Sequence, residues 1–296
     1  IGVYIVEDGA TVIQKNVALT YNMVERKPRT LLKAVDGVSF EIRRGETLAL
    51  VGESGCGKST TARMLVGLDK PTSGTVEVDG KDLYASRGKD DKLVRGKIQM
   101  IFQDPYASLN PRWKVGRIVA EPIIAQKIIK DPKEIENRVN SVLHLVNLSK
   151  EDKDKYPHQF SGGQRQRISI ARAIAIHPEF LVCDEPTSAL DVSVQAQVLN
   201  LMQNLQREVG LTYLFISHNL SVVHHISDRV GVMYLGRLVE LADKRTLFNE
   251  PRHPYTRMLL DAIPDLSQTH RRRTPISGEV PNPLSPPTGC PFHPRC

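Results

Sequence analysis

Gly52-Glu53-Ser54-Gly55-Cys56-Gly57-Lys58-Ser59 fits the pattern G-x-x-x-x-G-K-[ST], and its flanks decide how it is read. Before it, Thr47-Leu48-Ala49-Leu50-Val51 is a short apolar run closed off by Gly45 and Gly52, the pattern of a strand buried on both faces. After it, the stretch from Ser59 to Leu68 places Ala62, Leu65, Val66 and Leu68 on one side of a helix. Strand, glycine loop and helix together make a phosphate cradle. Without side chains at Gly55 and Gly57, backbone N–H groups can turn inward on phosphate oxygens, and the helix N-terminus adds its partial positive charge. In that setting Lys58 reaches the β- and γ-phosphates and Ser59 offers its hydroxyl to Mg²⁺. A glycine-rich turn with a chance lysine is the plain alternative, and the flanking strand and helix argue against it.

The 296 residues suffice for a nucleotide-binding domain plus an appendage. Lys and Arg number 40 against 33 Asp and Glu, a formal net charge of +7, which is mildly basic for this length. Arg271-Arg272-Arg273 is the dense basic cluster. It is too short to argue for nucleic acid; an anionic membrane surface or acidic partner fits equally well, and a solvated face is favoured over either. No apolar run approaches the roughly 18 residues of a transmembrane helix, and no signal peptide is recognised. The chain is therefore expected to be soluble, with any membrane role supplied by partner subunits. It begins on Ile1 and ends on Cys296, and is read as trimmed at both ends. Cys56 and Cys183 are expected to be small, reduced, buried residues of a cytosolic protein.

Strand-like segments are expected from Ala10 to Tyr21 and from Val35 to Ile42, with a charged loop through Arg29 between them. Pro71-Thr72-Ser73-Gly74 reads as a turn and Thr75 to Gly80 as a strand, so an antiparallel sheet accompanies the parallel core. Ile98 to Phe102 is another apolar strand, ended by Gln103, and Asp104 to Pro111 reads as a loop. Val115 to Leu148 then reads as helical, with Val139, Val142, Leu143 and Val146 at helical spacing.

Phe160-Ser161-Gly162-Gly163-Gln164 opens a further helix that runs to Ile176. Two glycines are poor helix formers and need a reason. Either a bare helix N-terminus lets N–H groups approach a phosphate, or Ser161 simply caps a turn. Phe180-Leu181-Val182-Cys183 is a buried strand delivering Asp184 and Glu185. Asp184 can hold Mg²⁺, and Glu185, pointing the other way, can orient or deprotonate an attacking water. Ser188 to Asp191 and a helix from Val192 to Glu208 follow. Thr212 to Ile216 is one more buried strand, with His218 just past its end, the edge where open α/β sheets bind ligand. Val230 to Leu241 reads as a hairpin turning near Gly236, amphipathic pieces continue to Ile263, and a Pro-, Ser- and Arg-rich tail begins at Pro264.

This ordered set resembles the nucleotide-binding domain of ABC transporters over nearly the whole chain. Gly52 to Ser59 matches the Walker A loop, Gln103 the Q-loop glutamine, and Ser161-Gly162-Gly163-Gln164 the signature motif. Leu181 to Glu185 matches Walker B, Ser188 to Asp191 the D-loop, His218 the switch histidine, and Tyr21 the aromatic residue that stacks on adenine. The resemblance implies an α/β P-loop ATPase core, mostly parallel sheet with helices, plus an antiparallel β subdomain, an inserted helical subdomain and a loop-rich C-terminal extension. It implies a nucleotide-binding domain at 1–263, with the helical insertion at about 104–176, and the extension at 264–296.

Implied contacts to ATP come from Tyr21, Gly52, Glu53, Ser54, Gly55, Cys56, Gly57, Lys58, Ser59, Thr60, Gln103 and Asp184, and from Ser161, Gly162, Gly163, Gln164 and Asp191 acting on a partner's nucleotide. The implied catalytic set is Glu185, His218, Lys58 and Gln103, and the Mg²⁺ set is Ser59, Gln103 and Asp184.

Within that family the chain is similar to the ATPase subunits of dipeptide and oligopeptide importers. The similarity lies in Lys33 to Phe40, in Phe102 to Pro111, in Pro251-Arg252-His253-Pro254-Tyr255-Thr256 and in Gly278-Glu279-Val280-Pro281. Pro105-Tyr106 resembles the second of the two ATPases that such importers pair. The implied partners are a second homologous ATPase, two transmembrane permease subunits and an extracytoplasmic substrate-binding protein, with no nucleic acid. The implied place is the cytoplasmic face of the inner membrane. Nickel and glutathione importers carry similar subunits. Relatives commonly hold four tail cysteines, in some around a [4Fe-4S] cluster. Here Cys290 and Cys296 stand at C-x5-C; two thiolates do not complete such a site, and the resemblance implies them as two of its ligands, with a [4Fe-4S] cluster if the natural tail is longer. A translation-factor ATPase would carry two cassettes, a DNA-repair ATPase a long coiled-coil insertion, and a P-loop kinase would lack Ser161 to Gln164.

Overall fold

The computed structural model describes residues 10–23, 30–85, 94–262 and 278–296. The Arg271-Arg272-Arg273 cluster, the charged segment 24–29 and the start of the tail lie outside the described residues. Two compact units are formed, Ile1–Ile42 with Glu46–Tyr84 and Phe215–Cys296, and Arg43–Gly45 with Ala85–Leu214.

In the first unit, β1 (Ala10–Met23), β2 (Thr30–Arg43), β4 (Ser73–Val78) and β5 (Lys81–Asp82) form a sheet in the order β2-β1-β4-β5. β1 runs antiparallel to β4, with Val12 opposite Val78 and Gln14 opposite Val76. Val12, Gln14, Val76 and Val78 are buried, while Lys15 and Glu77 pair at 3.0 Å on the other face. That alternation is the signature of a sheet with one wet side. The expected antiparallel sheet is therefore present.

The same unit holds β3 (Thr47–Val51), every residue of which is buried, parallel to β9 (Arg229–Tyr234). β9 turns at Leu235-Gly236 into antiparallel β10 (Arg237–Asp243). Helices α1 (Lys58–Leu65), α7 (Leu220–Ile226), α8 (Lys244–Asn249) and α9 (Pro254–Asp261) complete it. α1 stops short of the expected Leu68. Gly67 N–H and Leu68 N–H fold back on Met64 O (3.1 Å) and Arg63 O (2.9 Å), the bond pair that terminates a helix. Leu68 is 54% exposed rather than on the buried face. The apolar core of this unit joins Ala49, Val51, Val230, Val232 and Tyr234 to Tyr255 and Phe292, so the tail contributes to it.

In the second unit, β6 (Ile98–Ile101) lies parallel to β7 (Phe180–Asp184). β8 (Thr212–Ile216), wholly buried, carries the chain from the second unit into the first. Strand order is β10-β9-β3-β8 in the first unit and β8-β7-β6 in the second. The stretch expected as one helix from Val115 to Leu148 is two, α3 (Val115–Ala125) and α4 (Pro132–Leu145). Pro132 takes the first helical position and the Asp131 carboxylate accepts the Lys133 N–H, a combination that starts a helix rather than continuing one. Val139, Val142, Leu143 and Val146 are all buried, and their spacing describes α4 and its cap alone.

The loop expected at Asp104 to Pro111 contains a helical turn, α2 (Pro105–Ser108), for the same reason: Asp104 caps it at Tyr106 N–H and proline leads it. Two 3₁₀ turns (Lys150–Asp154, Pro157–Gln159) precede α5 (Gly162–Ile174), and α6 (Val192–Val209) follows β7.

Phe180 is fully buried, whereas Val192 at the start of α6 is 82% exposed. Phe180→Ala should lower stability by about 3–5 kcal/mol and Val192→Ala by less than about 0.5 kcal/mol. Urea unfolding midpoints of the two variants check this.

Candidate functional site

The phosphate-loop segment Gly52–Gly57 joins β3 to α1, and two backbone carbonyls hold it in place. A Cβ on Gly52 (φ +150°) would stand 2.2 Å from Met233 O, and one on Gly57 (φ +102°) would stand 2.4 Å from Ala34 O. No other residue type fits either position. On the side where Gly55 lacks a Cβ nothing lies within 4 Å, so that face of the loop is open to a ligand. Lys58 is buried, and its Nζ donates to Gly52 O (2.8 Å) and Glu53 O (3.0 Å). Its ammonium is thus fixed over the loop rather than extended into solvent. Cys56 lies 3.6 Å from that ammonium; burial pushes its thiol up against the pull of Lys58. Thr61, which sequence reasoning passed over, donates to Gly57 O (3.0 Å) and ties the loop to the first turn of α1.

Ser54 and Ser59 are exposed on the loop and at the start of α1, and Thr60 is half-buried. Ser217 N–H donates to Leu50 O (3.3 Å), which brings exposed His218 out at the same strand end as Gly52. His218 therefore leaves β8 at the strand end from which the loop leaves β3. Tyr21 is held near the other end of α1. Its hydroxyl is 3.5 Å from Asp69, whose carboxylate Arg63 grips at 2.7 and 3.3 Å, beyond the C-terminal end of α1.

In the second unit, strand register does the placing. Ile101 of β6 is paired with Cys183 of β7, so the residues two further on, Gln103 and Glu185, come out side by side. Gln103 Nε2 donates to Glu185 Oε2 at 3.0 Å. Asp184, one residue earlier, is 8% exposed. Glu185 adopts φ +47°, a left-handed conformation that a non-glycine residue rarely takes.

The N-terminus of α5 carries the signature glycines. Ser161 Oγ accepts from Gln164 N–H (3.3 Å) while Gln164 Oε1 accepts from Ser161 N–H (3.0 Å), a reciprocal capping box. Ser161 and Gln164 are therefore engaged with each other. Gly163 has a reason that spacing alone does not show: its Cβ would stand 2.3 Å from Val194 Cγ1 of α6. Gly162 meets only an ordinary 3.5 Å contact at Leu190. Asp191 caps α6, its Oδ1 accepting from Val194 N–H (2.9 Å) and Ser193 Oγ (2.7 Å), and those bonds hold its carboxyl below the usual range. The helical turn after Gln103 is bound to α5 at two side chains. The Arg165 guanidinium lies 3.6 Å over the Tyr106 ring, and Ser108 Oγ is 3.4 Å from Ser169 Oγ.

Residues 35–188 match the family model described as ABC transporter, more than half of the chain. The chain belongs to the ABC transporter family. Residues 239–296 of this ABC ATPase match a second family model, the C-terminal region of oligopeptide/dipeptide transporters. The chain is 55% identical over 270 residues to the dipeptide transport ATP-binding protein DppF of Escherichia coli K12, covering 91% of this chain and 80% of that protein. It is 51% identical to the oligopeptide transport ATP-binding protein AppF of Bacillus subtilis, over 96% of this chain and 87% of that one. Among solved structures it resembles the ATP-binding cassette MJ0796 in a post-hydrolysis state with ADP and phosphate. That match has a TM-score of 0.70 and 31% identity, over 79% of this chain and 99% of that one. CbiO1 from Clostridium perfringens gives a TM-score of 0.71 at 30% identity, over 82% of this chain and 92% of that one.

Cys290 and Cys296 are exposed free thiols. Among the described residues no group of three or more His, Cys, Asp or Glu side chains could hold a metal ion. A [4Fe-4S] cluster needs four thiolates, and the residues described do not supply them.

Gly163→Ala should cost about 1–3 kcal/mol of stability, because β-branched Val194 cannot swing clear. Val194→Ala in the same chain should recover most of that loss. A double-mutant cycle on unfolding midpoints measures the coupling.

Proposed function

We propose that this ABC ATPase powers uptake of dipeptides or oligopeptides through membrane permease subunits, bound peripherally at the cytoplasmic face. The observation that carries the catalytic part is the Gln103–Glu185 hydrogen bond of 3.0 Å. It supports a carboxylate held by a neighbouring amide in the orientation that water activation needs. Peptide as the cargo is supported by the match of residues 239–296 to the C-terminal region of oligopeptide/dipeptide transporters, and by relatives whose names specify dipeptide and oligopeptide transport. Those relatives are transport proteins, which argues against the translation, DNA-repair and kinase readings. No helix of the described residues is long and apolar enough to cross a membrane, so the path for the peptide belongs to partner chains. A second homologous ATPase, two permease subunits and an extracytoplasmic binding protein fit that arrangement.

In the proposed mechanism the loop N–H groups and Lys58 bind the β- and γ-phosphates. His218, emerging beside the loop, contacts the γ-phosphate. Glu185 takes the proton of the attacking water, and Gln103 aligns that carboxylate. Ser59, Asp184 and the Gln103 carbonyl are hard oxygen donors of the kind that would hold Mg²⁺ alongside phosphate oxygens, and the ion would supply neutralisation of developing phosphate charge. In the proposed dimer Ser161 to Gln164 face the nucleotide of the partner ATPase. ATP then bridges two chains, and its hydrolysis removes the bridge. Tyr21, a residue 42% exposed, is assigned to adenine stacking.

Glu185→Gln should leave ATP binding intact and lower the hydrolysis rate by about 10²–10⁴-fold, the usual worth of a general base. Labelled-dipeptide uptake into proteoliposomes holding the complex should fall in parallel. Undiminished hydrolysis removes Glu185 from the base role. Hydrolysis that proceeds without any permease co-purifying from solubilised membranes overturns the transport reading.

A further inference from the structure

Arg295 meets the phosphate loop from 242 residues away in sequence. Its Nη1 donates to Glu53 Oε2 at 2.8 Å and its Nη2 to Glu53 Oε1 at 3.0 Å, the bidentate fork that binds a carboxylate most tightly. The Arg295 side chain is 2% exposed and that of Glu53 26%. Nη1 also lies 3.5 Å from the Tyr234 hydroxyl. The segment that delivers Arg295 is anchored by Phe292, whose ring packs against Tyr234 (5.4 Å) and Tyr255 (5.5 Å). Tyr255 in turn accepts the Glu53 backbone N–H at 2.9 Å. Both ends of Glu53 are therefore held by residues of the C-terminal region, the carboxylate by Arg295 and the backbone by Tyr255.

Glu53 is an odd residue to find here. It directly follows Gly52 in a loop whose task is to hold an anion, and an unpaired carboxylate would repel the phosphates it adjoins. The guanidinium removes that conflict by neutralising the charge and turning both oxygens toward the tail. Arg295 is itself buried, and Glu53 is the carboxylate that compensates it; a buried cation without such a partner would be costly.

We propose that Arg295 is a positioning residue of the nucleotide site, and that through Glu53 the C-terminal segment sets the affinity of the phosphate loop for ATP. The inference rests on the reading of Gly52–Ser59 as the ATP phosphate loop. It adds a second role to the region matched to the oligopeptide/dipeptide transporters, as part of the ATP site's electrostatics.

The test is equilibrium binding of a fluorescent ATP analogue to the full chain, with unfolding midpoints recorded alongside. Arg295→Gln exposes the loop to an uncompensated carboxylate and should weaken binding by on the order of tenfold, the worth of one unit charge at partly screened range. Glu53→Gln should act in the opposite direction and tighten binding, because it leaves the guanidinium without its counter-charge. The double variant Arg295→Gln/Glu53→Gln should return to within about threefold of wild type. If Arg295 were only a pin for the tail, each change would weaken binding, and the double variant would be at least as weak as either alone. That pattern, or an Arg295→Gln affinity equal to wild type, overturns the proposal. If Arg295→Gln does not fold, Glu53→Gln still decides: tighter binding supports the proposal and weaker binding sinks it. A wild-type chain that binds no analogue would overturn the nucleotide reading itself, a failure distinct from these.

Discussion

The phosphate loop is possible only because two backbones come closer to it than any side chain would allow. Met233 O and Ala34 O occupy the positions where the Cβ atoms of Gly52 and Gly57 would be. With the chain threaded between β9 and β2 in this way, Cys56 O is taken by Gly236 N–H at 3.0 Å and Gly57 O by Thr61, while the carbonyls of Gly52 and Glu53 turn onto Lys58. The lysine answers by donating to Gly52 O and Glu53 O. What looks like flexible, glycine-rich sequence is one of the most constrained segments of its unit. Rigidity is useful here, because dipoles that are already oriented need no reorganisation when charge arrives.

The second unit solves its problem by register instead. β6 and β7 are short, parallel and apolar, and the residues that leave their ends have no regular structure to hold them. Pairing Ile101 with Cys183 decides which residues leave together, and two positions later an amide and a carboxylate meet. A slip of one residue would reverse the face of every side chain in the strand. Continuous apolar burial on both sides resists that slip, since Phe180 to Cys183 and Ile98 to Ile101 are buried apart from Gln99.

Much of this was legible from the order of residues. Buried strands announce themselves as unbroken apolar runs, so β3, β7 and β8 were placed by Thr47 to Val51, Phe180 to Cys183 and Thr212 to Ile216. The loop, the paired carboxylates and the histidine followed from what those strands deliver. Local punctuation was present but outvoted: Asp131-Pro132 and Asp104-Pro105 are helix starts, and a periodicity count over a long window hides the first of them. The steric reason for Gly163 was out of reach, because it depends on Val194 belonging to another helix. Arg295 is the extreme case. No spacing rule links residues so far apart in the chain, and only the folded aromatic cluster of Tyr234, Tyr255 and Phe292 brings its guanidinium to Glu53.

Glu185 stands at φ +47°, where an L-residue loses about 1–2 kcal/mol relative to glycine. Glycine or asparagine would be more comfortable there, and mutational drift judged by folding alone would move the position toward them. In the proposed mechanism this position carries the residue that handles the water, so folding free energy is given up there in exchange for chemistry. The cost is small against the whole molecule, yet it is fixed in the backbone. Laboratory evolution for heat resistance would therefore find this position early, and on the proposed mechanism the variants it favoured there would gain stability by losing turnover.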